Sequence, residues 1–80
     1  MEIEILTPDK KLYTGKIKLA KLPGTLGSFE ILKNHAPIIS TLEKGQIKII
    51  DLNNEVEFFD ITEGVVEASN NKIVVLVGSV

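Results

Sequence analysis

An all-β fold, an antiparallel sandwich or barrel, is the class this sequence predicts, on three observations. Apolar and polar residues alternate at period two through most of the chain. Turn-forming clusters recur about every eight to twelve residues, at Thr7-Pro8-Asp9, Pro23-Gly24-Thr25, Glu43-Lys44-Gly45, Asn53-Asn54, Glu63-Gly64 and Asn70-Asn71. No stretch sustains the 3.6-residue period of an amphipathic helix.

Each element follows from its residues. Ile3 and Ile5 alternate with Glu2 and Glu4, giving a half-buried strand over residues 2–6. Pro8 and Asp9 end it, because proline cannot donate to a ladder and Asp favours turns. Residues 10–22 alternate again, with Ile17 and Leu19 on one face and Lys16 and Lys18 on the other. The phase slips at Ala20, since the next large apolar residue is Leu22; a bulge or two buried faces would account for it. Further strands are expected at Phe29–Ile31, Ile38–Leu42, Gln46–Leu52, Glu55–Ile61, Val65–Ala68 and Ile73–Val77. The two Asn-Asn pairs mark hairpins, because Asn tolerates positive φ.

Eighty residues without linker or internal repeat make one domain, 1–80. Nine basic against eleven acidic residues leave a charge of −2, and nucleic-acid binding would want a basic footprint. The absence of cysteine excludes disulfides and zinc-thiolate sites and fits a reducing compartment. The longest apolar run, Ile73–Val77, is too short to span a bilayer, so no direct membrane insertion is expected. MEIEIL, acidic and alternating, does not read as a signal peptide.

The lone His35, in LKNHAP, is the first candidate for chemistry. A nucleophilic site would need a Ser activated by it and an acid to orient the ring. Ser28, Ser40, Asp51 and Asp60 exist, but none lies in a nucleophile-elbow motif. Metal sites recruit several ligands, and one His with scattered carboxylates does not make one. A pH switch is chemically open to any imidazole. A structural role fits best: Pro37 holds Ala36 extended, Asn34 can turn left-handed, and His35 hydrogen-bonds within the loop. No catalytic residue, metal or cofactor is therefore expected. Lys16, Lys18 and Lys21 read as a solvated face or guarded edge. Gly24 and Gly27 precede a strand rather than a helix, unlike a phosphate loop. Ile73–Val77 is apolar on both faces, as in a covered strand or a protein contact surface.

Beyond these local readings, MEIEILTPDKKLYTGKI, LPGTLGSFEILKNHAPIISTLEKGQIKI and EVEFFDITEGVVEASNNKIVVLV together resemble the epsilon subunit of F-type ATP synthases, in its N-terminal β-sandwich domain. His35-Ala36-Pro37 with downstream Leu42 and Gly45 is the most specific part. The resemblance implies a ten-stranded sandwich in the central stalk of the rotary motor, binding the gamma subunit and the ring of c-subunits. It implies a peripheral place on the cytoplasmic face of the bacterial inner membrane, and a role in coupling proton flow to ATP synthesis. Rotor contacts are expected at Ser28, Phe29, Glu30, Ile31, Lys33, Asn34, His35, Ala36, Pro37, Ile38 and Ser40. The ring would meet the loop before Phe29, and gamma a face including Ile38 and Ser40.

Glu30, Lys33 and Asn34 stand where family members usually carry Gly, Pro and Gly, which predicts a stiffer or differently charged loop. Glu63 replaces the first residue of a usual Gly-Gly. Family members commonly continue into a helical hairpin, whereas this sequence stops at Gly78-Ser79-Val80, so nucleotide binding and helix-mediated inhibition are not expected. The rival reading is a free-standing β-sandwich ligand- or protein-binding module. It would need an aromatic platform or polar cleft, and the chain offers Tyr13 and three Phe.

Overall fold

A computed structural model describes residues 1–78 and builds them into eight strands. These are β1 (Glu2–Leu6), β2 (Lys11–Leu22), β3 (Phe29–Leu32), β4 (Ile38–Leu42), β5 (Gly45–Asp51), β6 (Val56–Ile61), β7 (Gly64–Ser69) and β8 (Lys72–Val77). The all-β expectation holds, with every expected strand within one or two residues of its place. The count is eight among the described residues, not ten. β2 is a single twelve-residue strand that serves two layers, and the segments on either side of β3 stay irregular.

The hydrogen-bonded path runs β4-β7-β8-β1-β2-β5-β6, with β3 added on β2. Residues 11–16 of β2 pair with β1 and complete a first layer with β8, β7 and β4. Farther along, β2 pairs with β3 on one edge and β5 on the other, forming the second layer with β6. The pairing is antiparallel except between β1 and β8, which run parallel with Ile3 beside Ile73 and Ile5 beside Val75. That contact joins opposite ends of the chain, which local turn signals do not encode. An isolated bridge between Gly24 and Leu42 brings the end of β2 to the β4 edge and closes the sandwich.

The bulge expected near Ala20 falls at Lys18, where Ile17 opposes Asp51 but Leu19 opposes Ile50. The extra residue reverses the phase, so Ile17, Ala20 and Leu22 point inward and Leu19 points outward, not beside Ile17. The lysines therefore form no single stripe. Lys16 lies in the first layer and Lys21 in the second, while the Lys18 ammonium donates to the Asn54 side-chain oxygen.

One core fills the space between the layers. Ile3, Ile5, Ile17, Leu22, Ile31, Ile47, Ile49, Val66, Ile73 and Val75 are its fully buried side chains. Every buried residue among those described is apolar, so the core holds no titratable group. Both Asn pairs turn as their chemistry requires. Asn70 and Asn71 have φ of 50° and 59°, the two positive values of a tight I′ hairpin. Asn54 has φ 64° and closes the loop that Asp51 caps, its carboxylate accepting from the Asn53 and Glu55 amides at 2.8 and 3.0 Å.

Candidate interaction surface

The residues expected at rotor contacts divide between the two ends of β3. At its C-terminal end the Leu32 carbonyl accepts the His35 amide at 3.0 Å, folding residues 32–35 into a turn. Asn34 takes φ 65°, the left-handed conformation that a glycine would supply at no steric cost. Its backbone N–H donates to Asn71 Oδ1 at 2.7 Å, and Asn71 Nδ2 donates back to Asn34 Oδ1 at 3.1 Å. The loop is thereby fastened to the β7–β8 hairpin, whose Asn71 carbonyl also accepts the Glu2 amide at 2.9 Å. His35 is exposed, with Nδ1 2.7 Å from the Ala36 carbonyl, so the ring holds its own turn as expected of a structural histidine. Lys33, Ala36 and Pro37 are exposed beside it.

The other end carries Ser28. Residues 24–27 form a tight turn in which Gly24 accepts from the Gly27 amide at 3.0 Å. A Cβ on Gly24 would stand 2.7 Å from that residue's carbonyl oxygen and 2.8 Å from the Phe29 ring, so the packing there requires glycine. Thr25 ties the loop to β4 through its amide on the Thr41 carbonyl at 3.1 Å and a 2.8 Å contact between the two hydroxyls. The tip presents Leu26 wholly to solvent. The sequence points to a contact in this loop but not to Leu26 itself, although a large apolar residue between Thr25 and Gly27 is a signal for it. Phe29 packs partly against the core, Glu30 points out, and Ile31 is buried and offers no surface to a partner.

β4 links the two ends. Ile38 turns inward against the core and Ser40 is half-buried, its hydroxyl donating to the Thr41 carbonyl at 3.1 Å. The outward residue is Ile39, 73% exposed. It lies in register with Glu67 and Val74, and the next row is Thr41, Val65 and Leu76. Together Ile39, Val65, Glu67, Val74 and Leu76 line a shallow groove of about 240 Å³ on the outer face of the first layer. It continues into an open depression of about 430 Å³ floored by Pro37, Ile38, Ile39 and Glu67. The two-faced run Ile73–Val77 is thus resolved: Ile73, Val75 and Val77 are core, while Leu76 is exposed and Val74 half-buried on this face.

Among the described residues no three His, Asp or Glu side chains come together to hold a metal ion. The space beside His35, bounded by Met1, Leu32, Asn71 and Ile73, is about 10 Å³. That is room for no more than a water. The Tyr13 phenol is held above the usual 10.0 by burial and then by the charges of Glu57 and Asp51. Its ring lies over Gly15 and packs at 5.6 Å against Phe59. What the surface offers is contact: two loops at opposite ends and an apolar face between them.

Comparison with known proteins identifies the family. Residues 1–80 match the family described as ATP synthase, Delta/Epsilon chain, beta-sandwich domain. The chain is 34% identical over 74 residues to the ATP synthase epsilon chain of Chlorobaculum tepidum, covering 92% of this chain and 84% of that one. It is 40% identical over 77 residues to the epsilon chain of Sulfurimonas denitrificans, covering 96% of this chain but 59% of that one. In fold it resembles a chain in the central stalk and c-ring structure of Tetrahymena thermophila mitochondrial ATP synthase. There the TM-score is 0.81 at 21% identity, covering 99% of this chain and 63% of that one. A chain of the Euglena gracilis mitochondrial ATP synthase gives a TM-score of 0.83 at 13% identity, covering 96% and 48%. The chain belongs to the ATP synthase delta/epsilon family, whose β-sandwich domain it matches from end to end.

Proposed function

We propose that the chain is a non-catalytic rotor subunit of a proton-transporting ATP synthase, joining the gamma subunit to the c-ring. One observation carries the reading beyond family membership. The contact-competent features lie at the two ends of one rigid sandwich, with Leu26 bare at one end and the Asn34–Asn71 loop at the other. A coupling that passes torque between two bodies needs this: separate contacts on a stiff block, close-packed between them.

In this reading the loop before Phe29, with Leu26 and Ser28, meets the c-ring. Lys33, Asn34, His35, Ala36 and Pro37, together with the outer face at Ile39, Val74 and Leu76, meet gamma. Phe29 and Glu30 border the ring contact, while Ile38 and Ser40 support Ile39 from beneath. The subunit turns with gamma and the ring, so that proton flow drives ATP synthesis at sites on other chains. It sits peripherally on the cytoplasmic face of the bacterial inner membrane, and it neither makes nor breaks bonds.

The test is co-purification of the tagged chain from its host membranes. Gamma and c-subunits should accompany it. Leu26→Asp should release the c-subunits and keep gamma, and Ile39→Asp should do the reverse. Absence of both partners from the unaltered chain refutes the reading.

A further inference from the structure

We infer that the gamma segment covering the outer face of the first layer brings one basic side chain, arginine or lysine, to the carboxylate of Glu67 inside an otherwise apolar contact. The inference rests on the rotor reading and names the chemistry that this face selects. Register sets the surroundings. Glu67 lies between Ile39 on β4 and Val74 on β8, and the adjacent row is Thr41, Val65 and Leu76. It is the one ionisable side chain of the 240 Å³ groove, whose other walls are Ile39, Val65, Val74 and Leu76. It is also the one ionisable side chain of the 430 Å³ depression beside Pro37 and Ile38. A partner seated in either space meets this carboxylate where the two join.

The charge has no counterpart within the domain. Both residues directly across the ladders from Glu67 are aliphatic, whereas Glu2 faces Lys16 on one side and Lys72 on the other. The nearest lysine in the sheet is Lys72, diagonal to Glu67 and opposite Ser69. Its ammonium is turned to Glu4 at 3.8 Å, and Glu4 is held again by Lys11 at 3.4 Å. Among the described residues these are the ion pairs, and Glu67 is in neither. Exposed as it is, the carboxylate is satisfied by water. Under a covering protein that water is lost, and an unpaired charge against aliphatic side chains is strongly unfavourable. A purely apolar or an acidic partner is thereby rejected. A basic side chain instead lays its stem on Ile39 and Val74 and gives its head to the carboxylate as a charge-assisted hydrogen bond. An aliphatic groove alone tolerates sliding of its occupant; one charge in its wall fixes the register.

The experiment measures gamma retained by the tagged full-length chain drawn from host membranes. Glu67→Lys should lower that retention roughly tenfold or more while the c-subunits stay, because like charges then meet without water between them. Glu67→Gln, of nearly the same shape, should weaken retention less and should remove most of its dependence on salt. Both variants should melt like the parent, since the side chain is exposed. Changing the basic residues of gamma singly to Glu should find one that restores binding to Glu67→Lys. Gamma held at the parent level by Glu67→Lys, salt dependence unchanged in Glu67→Gln, or no restoring change in gamma would each overturn the inference. The two failures are distinguishable. Gamma missing from the unaltered chain, or kept by Ile39→Asp, sinks the rotor reading and this inference with it. Gamma released by Ile39→Asp but kept by Glu67→Lys sinks this inference alone.

Discussion

Fastening of the 33–37 loop to the β7–β8 hairpin gives a prediction whose size follows from the hydrogen-bond pattern. The two bonds are not equivalent. Asn34 contributes its backbone N–H to one and its side chain to the other, while Asn71 contributes its side chain to both. Asn34→Gly therefore loses one bond and Asn71→Gly loses two. Glycine is the right probe because φ is positive at both positions, 65° and 59°, so the left-handed backbone survives. An exposed neutral hydrogen bond contributes about 0.5 kcal/mol, the low end of the usual range. Asn34→Gly should then cost about 0.5 kcal/mol in contacts and Asn71→Gly about 1 kcal/mol. The double variant should lose no more bonds than Asn71→Gly alone, leaving a coupling of about 0.5 kcal/mol. In a domain this small that coupling corresponds to roughly 2–4 °C in Tm. Equilibrium urea unfolding of the four proteins measures the cycle, and amide exchange of Asn34 measures the bond directly. Exchange should accelerate in Asn71→Gly far more than in Asn34→Gly, which keeps the donor, its acceptor and the left-handed backbone. Strict additivity in the cycle, or an Asn34 amide indifferent to Asn71, would refute the fastening.

Other outcomes follow from the same packing. Gly64→Ala should destabilise by about 2–3 kcal/mol in urea melts, because its Cβ would stand 2.6 Å from the Leu76 carbonyl oxygen and the backbone must give way. His35→Ala should cost no more than about 1 kcal/mol, since the ring's contact is a single exposed one to Ala36, with the far-UV spectrum unchanged. For Tyr13 the folded pKa lies above 10.0, so the folded state holds the phenolic proton more tightly than the unfolded chain. The associated stability is intact below pH 10 and is lost as pH rises through the folded value. Tyr13→Phe should accordingly flatten the alkaline limb of a stability–pH curve, and an unchanged limb would place the effect on another group.

By itself the sequence determined the all-β class, the position of each strand and the use of its Asn pairs. These are local consequences of alternation and of side chains that tolerate positive φ. It also marked the HAP segment as loop architecture, which the Leu32–His35 turn bears out. Only the tertiary structure decided what depends on register between distant segments. A one-residue bulge at Lys18 separates Lys16 from Lys21 and sends Leu19 outward, and no periodicity count fixes which residue is extra. Ile38 and Ile39 are indistinguishable as letters; pairing with Ala68 and Glu67 turns one into the core and the other out. The parallel contact of β1 with β8 and the meeting of Asn34 with Asn71 each join residues far apart in sequence. Lys21 facing Lys48 is of the same kind, since a charge has a neighbour only once two strands have chosen their alignment.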